Sequence, residues 1–342
     1  MTAEQVRIGL VGYGFGGRYF HAPLLASAPG CDFAGVVTSS AARRAELARE
    51  HPGVRAYDSL EALAADGVSA VAISTPAHTH APVALQAIGL GLAVVCDKPF
   101  ALTSADAREV IAEAESAGVA LSVYQNRRWD SDLLTLQQLI TQGRLGEIQR
   151  FESAFERFEP ASGPPAAGGG ILRDFGSHLV DQALLLFGPA TSVYAEMRRT
   201  ADEPTGFFLS LNHPRSGTRS HLSGDWREGA PAPRLRVSGT EGSYVVPAMD
   251  CQEHHLIEGR SPAGEPDTWG AEDEADWGWI QRGDSREVVP SERGRWDTYY
   301  PAFAAAVRGE RDVPVDPADA VLALEVIEAA ERSAESGAVV PL

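Results

Sequence analysis

The chain is 342 residues long, 44% hydrophobic and 22% charged, an ordinary soluble composition with room for two domains. A net charge of −18 with no offsetting basic stripe repels phosphate backbones and argues against nucleic acid as a partner. No apolar run approaches the roughly 20 residues that cross a bilayer, and Cys31, Cys96 and Cys251 are too few and scattered for a disulfide framework or a Cys-rich zinc site.

The opening MTAEQVRIGLVGYG runs straight into a strand-like segment, without a basic region and long apolar core, so the expected location is the cytoplasm. Val6–Val11, Phe33–Thr38, Ala70–Ser74, Ala93–Cys96 and Ala120–Val123 read as strands. Between them Ala41–Glu50, His80–Ile88 and Ser104–Ala117 carry helical spacing, with Ser104 as N-cap and Gly118 as stop. Strand–helix alternation of this kind predicts a parallel sheet with helices on both faces.

From about residue 126 the texture changes. Ser131–Gln142 reads as a helix ended by Gly143, SGPPAAGGG (162–170) as a loop, and Ile171–Phe187 as a helix closed by Gly188. Thr191–Met197, Gly206–Leu211, Thr218–Gly224, Arg234–Ser238 and Ser243–Val246 then follow as strands without intervening helices, which predicts a mostly antiparallel sheet. Asp250–Glu292 reads as a long loop with local structure, its acidic run Ala271–Asp276 solvated. Pro301–Arg308 and Ala318–Ser336 return to helix. The expected fold is α/β: a Rossmann domain with a doubly wound parallel sheet (1–125), then an α+β domain with a large, mostly antiparallel sheet (126–342). The closing helix 318–336 is a candidate to pack back toward the first domain.

Three constellations carry chemistry. The first strand leads into Gly12-Tyr13-Gly14-Phe15-Gly16-Gly17, a G-x-G-x-x-G. Gly12 would make the tight turn, Gly14 admit a pyrophosphate, and Gly17 let the following helix pack close, its free N–H groups near Phe15 and Gly16 facing the phosphates. The second strand ends in Thr38-Ser39-Ser40, with Arg43 and Arg44 a turn later, where an NAD site usually has an acid for the ribose 2′-hydroxyl. Hydroxyls and arginine suit a 2′-phosphate and a carboxylate repels it, so NADP(H) is the favoured cofactor and NAD(H) the alternative.

The second constellation is Asp97-Lys98-Pro99. Of 29 basic residues, Lys98 alone is lysine. It falls at the C-terminal end of a parallel strand, where open α/β sheets bind ligands, and lysine can lose its proton where arginine cannot. His78 and His80, after the strand Ala70–Ser74, are further candidates to line the cofactor. In the third, GGGILRDFGSHLVDQALLLFG, Asp174, His178 and Asp181 share one helix face. An Asp beside a His can orient the imidazole and make a proton shuttle.

With GYGFGG, STPAHTHAPVALQAI, CDKP, the glycine-led helix, VSGTEGSYVV and DPADAVLALEVIEAAERSAESG, nearly the whole chain resembles the Gfo/Idh/MocA oxidoreductases. GFGGRYFHAPLL and YQNRRWDSDLLTL look closest to the branch with NADP-dependent scyllo-inositol dehydrogenases. That family usually has Glu before the lysine; here the carboxylate of Asp97 sits on a shorter arm. The resemblance implies Lys98 and His178 as the catalytic pair with Asp174 in support. It implies Ser74, Thr75, Pro76, His80, Asp97 and Pro99 as cofactor neighbours, and Asn126, Arg127 and Arg128 at the substrate cleft. The implied substrate is a small polyol or sugar, without membrane or metal, and the implied assembly a homodimer or homotetramer. Two other outcomes fit parts of this pattern: a glycosidase that oxidises its sugar transiently, and a non-catalytic nucleotide sensor, which Lys98, Asp174 and His178 argue against.

Overall fold

The computed structural model describes residues 5–159, 169–200 and 203–342. The loop expected over 162–170 lies, but for its last two glycines, outside them. In chain order the elements are β1 (Val6–Val11), a π-helical turn (Gly16–His21) continuing into α1 (Ala22–Ser27), β2 (Cys31–Val37), α2 (Ala41–Glu50), β3 (Arg55–Tyr57), α3 (Leu60–Ala65), β4 (Ala70–Ile73), α4 (His80–Gly89), β5 (Ala93–Asp97), α5 (Ser104–Ala117) and β6 (Leu121–Tyr124). Next come α6 (Ser131–Thr141), β7 (Ile148–Glu156), α7 (Gly170–Phe187), β8 (Ser192–Thr200), β9 (Glu203–His213), β10 (Thr218–Asp225), β11 (Leu235–Gly239) and β12 (Gly242–Val246). The chain ends with α8 (Gln252–Ile257), β13 (Trp279–Arg282), β14 (Ser285–Val288), α9 (Tyr299–Val307), α10 (Pro317–Ser336) and β15 (Val340–Pro341).

The chain divides into two compact units. The first is 1–126 with 252–269 and 295–319; the second is 127–251 with 270–294 and 320–342. In the first unit six strands lie in the order β3-β2-β1-β4-β5-β6, all parallel. All of β4 and Ala93–Cys96 of β5 are buried. An uninterrupted apolar run is what a parallel strand covered on both faces requires, and each buried Val or Ile contributes about 1.5–3 kcal/mol. Thr103, not Ser104, caps α5: its hydroxyl accepts from Asp106 N–H at 3.1 Å, and Ser104 is the first helical residue.

The second unit holds a nine-stranded sheet, β14-β13-β12-β11-β7-β10-β9-β8-β15. Its pairs are antiparallel except β10 with β7. Inward residues such as Phe151, Leu209, Leu222 and Val237 meet Phe175, Leu179 and Ala183 of α7 and Val326, Ile327 and Ala330 of α10 in one core. Asp250–Glu292 is more ordered than a loop, because it contains α8 and the β13–β14 hairpin.

Candidate active site

In the first unit, β1, β4 and β5 are neighbours, so the turns that follow them share one edge of the sheet. Gly12 has φ +99°, and a Cβ there would run into the Ser74 carbonyl; a Cβ on Gly17 would run into the Gly12 carbonyl. Nothing stands within 4 Å of the Cβ position of Gly14. These are the three places where a dinucleotide turn needs its tight bend, its close packing and its open approach, so the residues present fit such a group. The helix behind the turn begins as a π-helical segment at Gly16 with Phe15 at its N-cap, and Phe15 is 55% exposed.

Gly16 brings the turn against β5: a Cβ there would lie 2.6 Å from Ser74 Oγ and 3.1 Å from Asp97 Oδ2. Ser74 Oγ donates to Asp97 Oδ2 at 2.9 Å, and Lys98 N–H donates to Asp97 Oδ1 at 2.8 Å. His21 Nε2 lies 3.2 Å from Asp97 Oδ2. Burial pushes the Asp97 carboxyl up, but His21, His80 and Lys98 together overcome it and hold the carboxyl at about 2. The Lys98–Pro99 peptide is cis. The ring nitrogens of buried His80 lie 2.7 Å from the Pro99 carbonyl and 2.8 Å from that of Thr75, tying the turn after β4 to the turn after β5.

At the end of β2 the polar residues divide their work. Ser40 caps α2 by accepting from Arg43 N–H, and Arg44 donates to the carbonyls of Thr38 and Tyr57 and to Asp58. Ser39 is exposed, while Thr38 and Arg43 are half-buried: the Thr38 hydroxyl accepts from Ser40 N–H at 3.4 Å, and Arg43 holds Glu46 at 2.7 Å.

In the second unit, α7 carries Asp174, half-buried, and His178, 4% exposed with its ring stacked 6.2 Å from Phe155. Asp181, on the same face, takes a bidentate contact from Arg128 at 2.6 and 2.8 Å. Arg127 is buried over the Phe155 ring, 3.3 Å from Asp130. Asn126, at the end of the first unit, is buried.

Sequence reasoning missed the network around the start of α6. Buried Asp130 and Asp132, Asp250 and Glu272 converge on the Ser131 turn: Asp250 accepts Ser131 N–H at 2.7 Å and Glu272 accepts its hydroxyl at 2.7 Å. Buried Arg234 answers Asp132 at 3.0 Å and donates to Gln182. The run Ala271–Asp276 is exposed as expected, except for Glu272, which turns inward. Burial, with the nearby carboxylates Asp250 and Asp132, raises Glu272 to about 7, although Ser131 pulls it down. Between its ordinary value of 4.5 and 7 the folded chain binds this proton more tightly than the unfolded one, so stability falls as pH rises through that window. Glu272→Gln should flatten that slope and stabilise the protein at pH 8 by about 1–3 kcal/mol. Urea unfolding at pH 5 and pH 8 checks both.

Residues 6–125 match the oxidoreductase family NAD-binding Rossmann fold, and residues 137–342 match its C-terminal alpha/beta domain. The chain is 36% identical to the uncharacterized oxidoreductase YdgJ of Escherichia coli, over 97% of each chain. It is 32% identical to the NADP(+) scyllo-inositol 2-dehydrogenase IolW of Bacillus subtilis, covering 97% of this chain and 94% of that one. It is 29% identical to the D-apiose dehydrogenase of Paraburkholderia graminis, covering 100% and 91%. With both family halves matched over nearly its whole length and a Gly-rich turn shaped for a dinucleotide, the chain belongs to the Gfo/Idh/MocA oxidoreductase family.

Proposed function

We propose that this oxidoreductase uses NADP(H) to interconvert a ring carbinol and ketone on a neutral polyol or sugar, inositol-like or pyranose. The observation that carries the reading is Lys98: the sole lysine follows directly on β5, with its backbone bound to half-buried Asp97, on the sheet edge that carries the Gly12–Gly17 turn. A bound nicotinamide dinucleotide would supply or accept the hydride. Gly12, Gly14, Phe15, Gly16 and Gly17 would hold the dinucleotide's pyrophosphate, with Ser74, Thr75, Pro76 and Pro99 on the neighbouring turns. During oxidation His178 takes the hydroxyl proton and Asp174 orients the imidazole, while Lys98 hydrogen-bonds the same oxygen and stabilises its developing charge. A neutral substrate is favoured over a uronate or sulfosugar because Arg128 already faces Asp181, and Arg127 faces Asp130 within an acid-rich cluster. In this reading the enzyme works in the cytoplasm as a homodimer or homotetramer, which sedimentation checks.

The scyllo-inositol relative's NADP(+) dependence and the acid-free end of β2 support the same cofactor here. Thr38 and Ser39 stand where a 2′-phosphate would lie, and Arg43 would meet it by leaving Glu46, with Ser40 shaping their turn. Thr38→Asp should reverse the preference to NAD, since it sets a like charge against the phosphate and offers the 2′-hydroxyl an acceptor. Removing Arg43 should weaken NADP alone, by about 1–3 kcal/mol. Fluorescence titration of both cofactors on the wild type and both variants tests this, and a wild type that prefers NAD strongly would overturn the NADP assignment. A polyol and glycoside panel followed by nicotinamide absorbance tests the reaction; aglycone release without net cofactor turnover would mean a redox-cycling glycosidase.

A further inference from the structure

His21 is completely buried, yet both of its ring nitrogens meet polar groups. Nδ1 lies 2.5 Å from the hydroxyl of Tyr300, a residue 279 positions later, and Nε2 lies 3.2 Å from Asp97 Oδ2. Tyr300 is itself buried, and the Tyr124 ring packs 4.3 Å from the imidazole. With the Tyr300 hydroxyl donating to Nδ1, the hydrogen on Nε2 is left on the Asp97 side, 3.2 Å from Oδ2 but outside hydrogen-bond geometry. The opposite tautomer would aim a lone pair at a carboxylate. The contacts from Tyr300 through His21 to Asp97 therefore favour one tautomer, and they end on the Lys98 backbone.

An imidazole that only filled space would be a costly choice in a dry core. Asp97 has a short arm, whose two oxygens are already assigned: Oδ1 to Lys98 N–H, Oδ2 to Ser74 and the His21 side. We propose that His21 is a positioning residue for Lys98: held by Tyr300, it fixes the Asp97 carboxylate against the Lys98 backbone and so aims the amine. This rests on the reading of Lys98 as the group that touches the substrate oxygen.

The groups facing this chain are Ser74, His80 and Lys98 around Asp97, Tyr124 and Tyr300 around His21, and Cys31, whose thiol meets the Tyr300 carbonyl. Burial pushes Cys31 up to about 12 and Tyr300 well above its ordinary value, so neither titrates near neutrality. His21 is the largest influence lowering the Asp97 carboxyl against burial, so without it the carboxyl rises.

The test uses the full chain with His21→Ala, Tyr300→Phe, Asp97→Asn and Lys98→Arg. His21→Ala should lower kcat about 10- to 100-fold and leave cofactor Kd and substrate KM nearly unchanged, a split that a general loss of folding would not give. Tyr300→Phe keeps the ring and its packing, so it should lower kcat in the same way by less, and it decides the matter if His21→Ala does not fold. A second readout needs no turnover. Because Lys98 is the only lysine, acetic anhydride labelling followed by mass spectrometry compares it with one other amine, the N-terminus. The labelling ratio should change in parallel in His21→Ala and Asp97→Asn. A folded His21→Ala with both the kcat and the labelling ratio of the wild type overturns the proposal. A changed labelling ratio alongside full turnover by Lys98→Arg would leave the positioning intact and overturn the reading of Lys98.

Discussion

Lys98→Arg should lower kcat by about 10²–10⁴-fold while leaving cofactor affinity close to wild type. Arginine keeps the charge, but its planar guanidinium gives up no proton near neutrality and cannot replace a compact amine at a fixed distance from one oxygen. The backbone contact from Lys98 N–H to Asp97 survives the exchange, so the loss measures the side chain alone. Steady-state kinetics beside cofactor titration separates the two effects, and near-wild-type turnover would remove Lys98 from the chemistry.

His178→Ala should cost a comparable factor, about 10²–10⁴-fold in kcat. It should also flatten the pH dependence of alcohol oxidation between about pH 6 and 9, the range in which a histidine acceptor changes state. His178 is 4% exposed and stacked on Phe155, so His178→Asn is the companion variant that keeps more of the packing. Asp174→Asn should be milder, because Asp174 only orients the imidazole in this reading. If Asp174→Asn proved the more damaging, the two roles would be exchanged.

Where a segment's fate is decided locally, the sequence was readable almost to the residue. β1, α2 and α5 stand at their expected bounds, because apolar runs, helical spacing and a left-handed Gly118 leave little choice. β7 escaped because its arginine and glutamates mask the alternation that buries Phe151 and Phe155. The β13–β14 hairpin escaped because β14 is exposed along its whole length and shows no buried face. The Gly-rich turn was legible for a related reason: Gly12 and Gly17 each answer to a backbone carbonyl nearby. His21 was not, since its meaning depends on a tyrosine near the far end of the chain. Glu272 looked like one more solvated acid until Ser131 and Asp250 gathered beside it.

The route of the chain sets an order on its own synthesis. It passes between the two units five times, and the first unit is complete only with residues 295–319. A ribosome that has released the first 126 residues has made all six parallel strands, but not Tyr299, which reaches Ser122 at 2.9 Å and the Val123 carbonyl at 3.0 Å, nor Val315, whose carbonyl accepts from Ser122. Ser122 and His21, fully buried in the finished chain, would then meet water in place of these partners. The nascent nucleotide domain can close over them only once nearly the whole polypeptide has emerged.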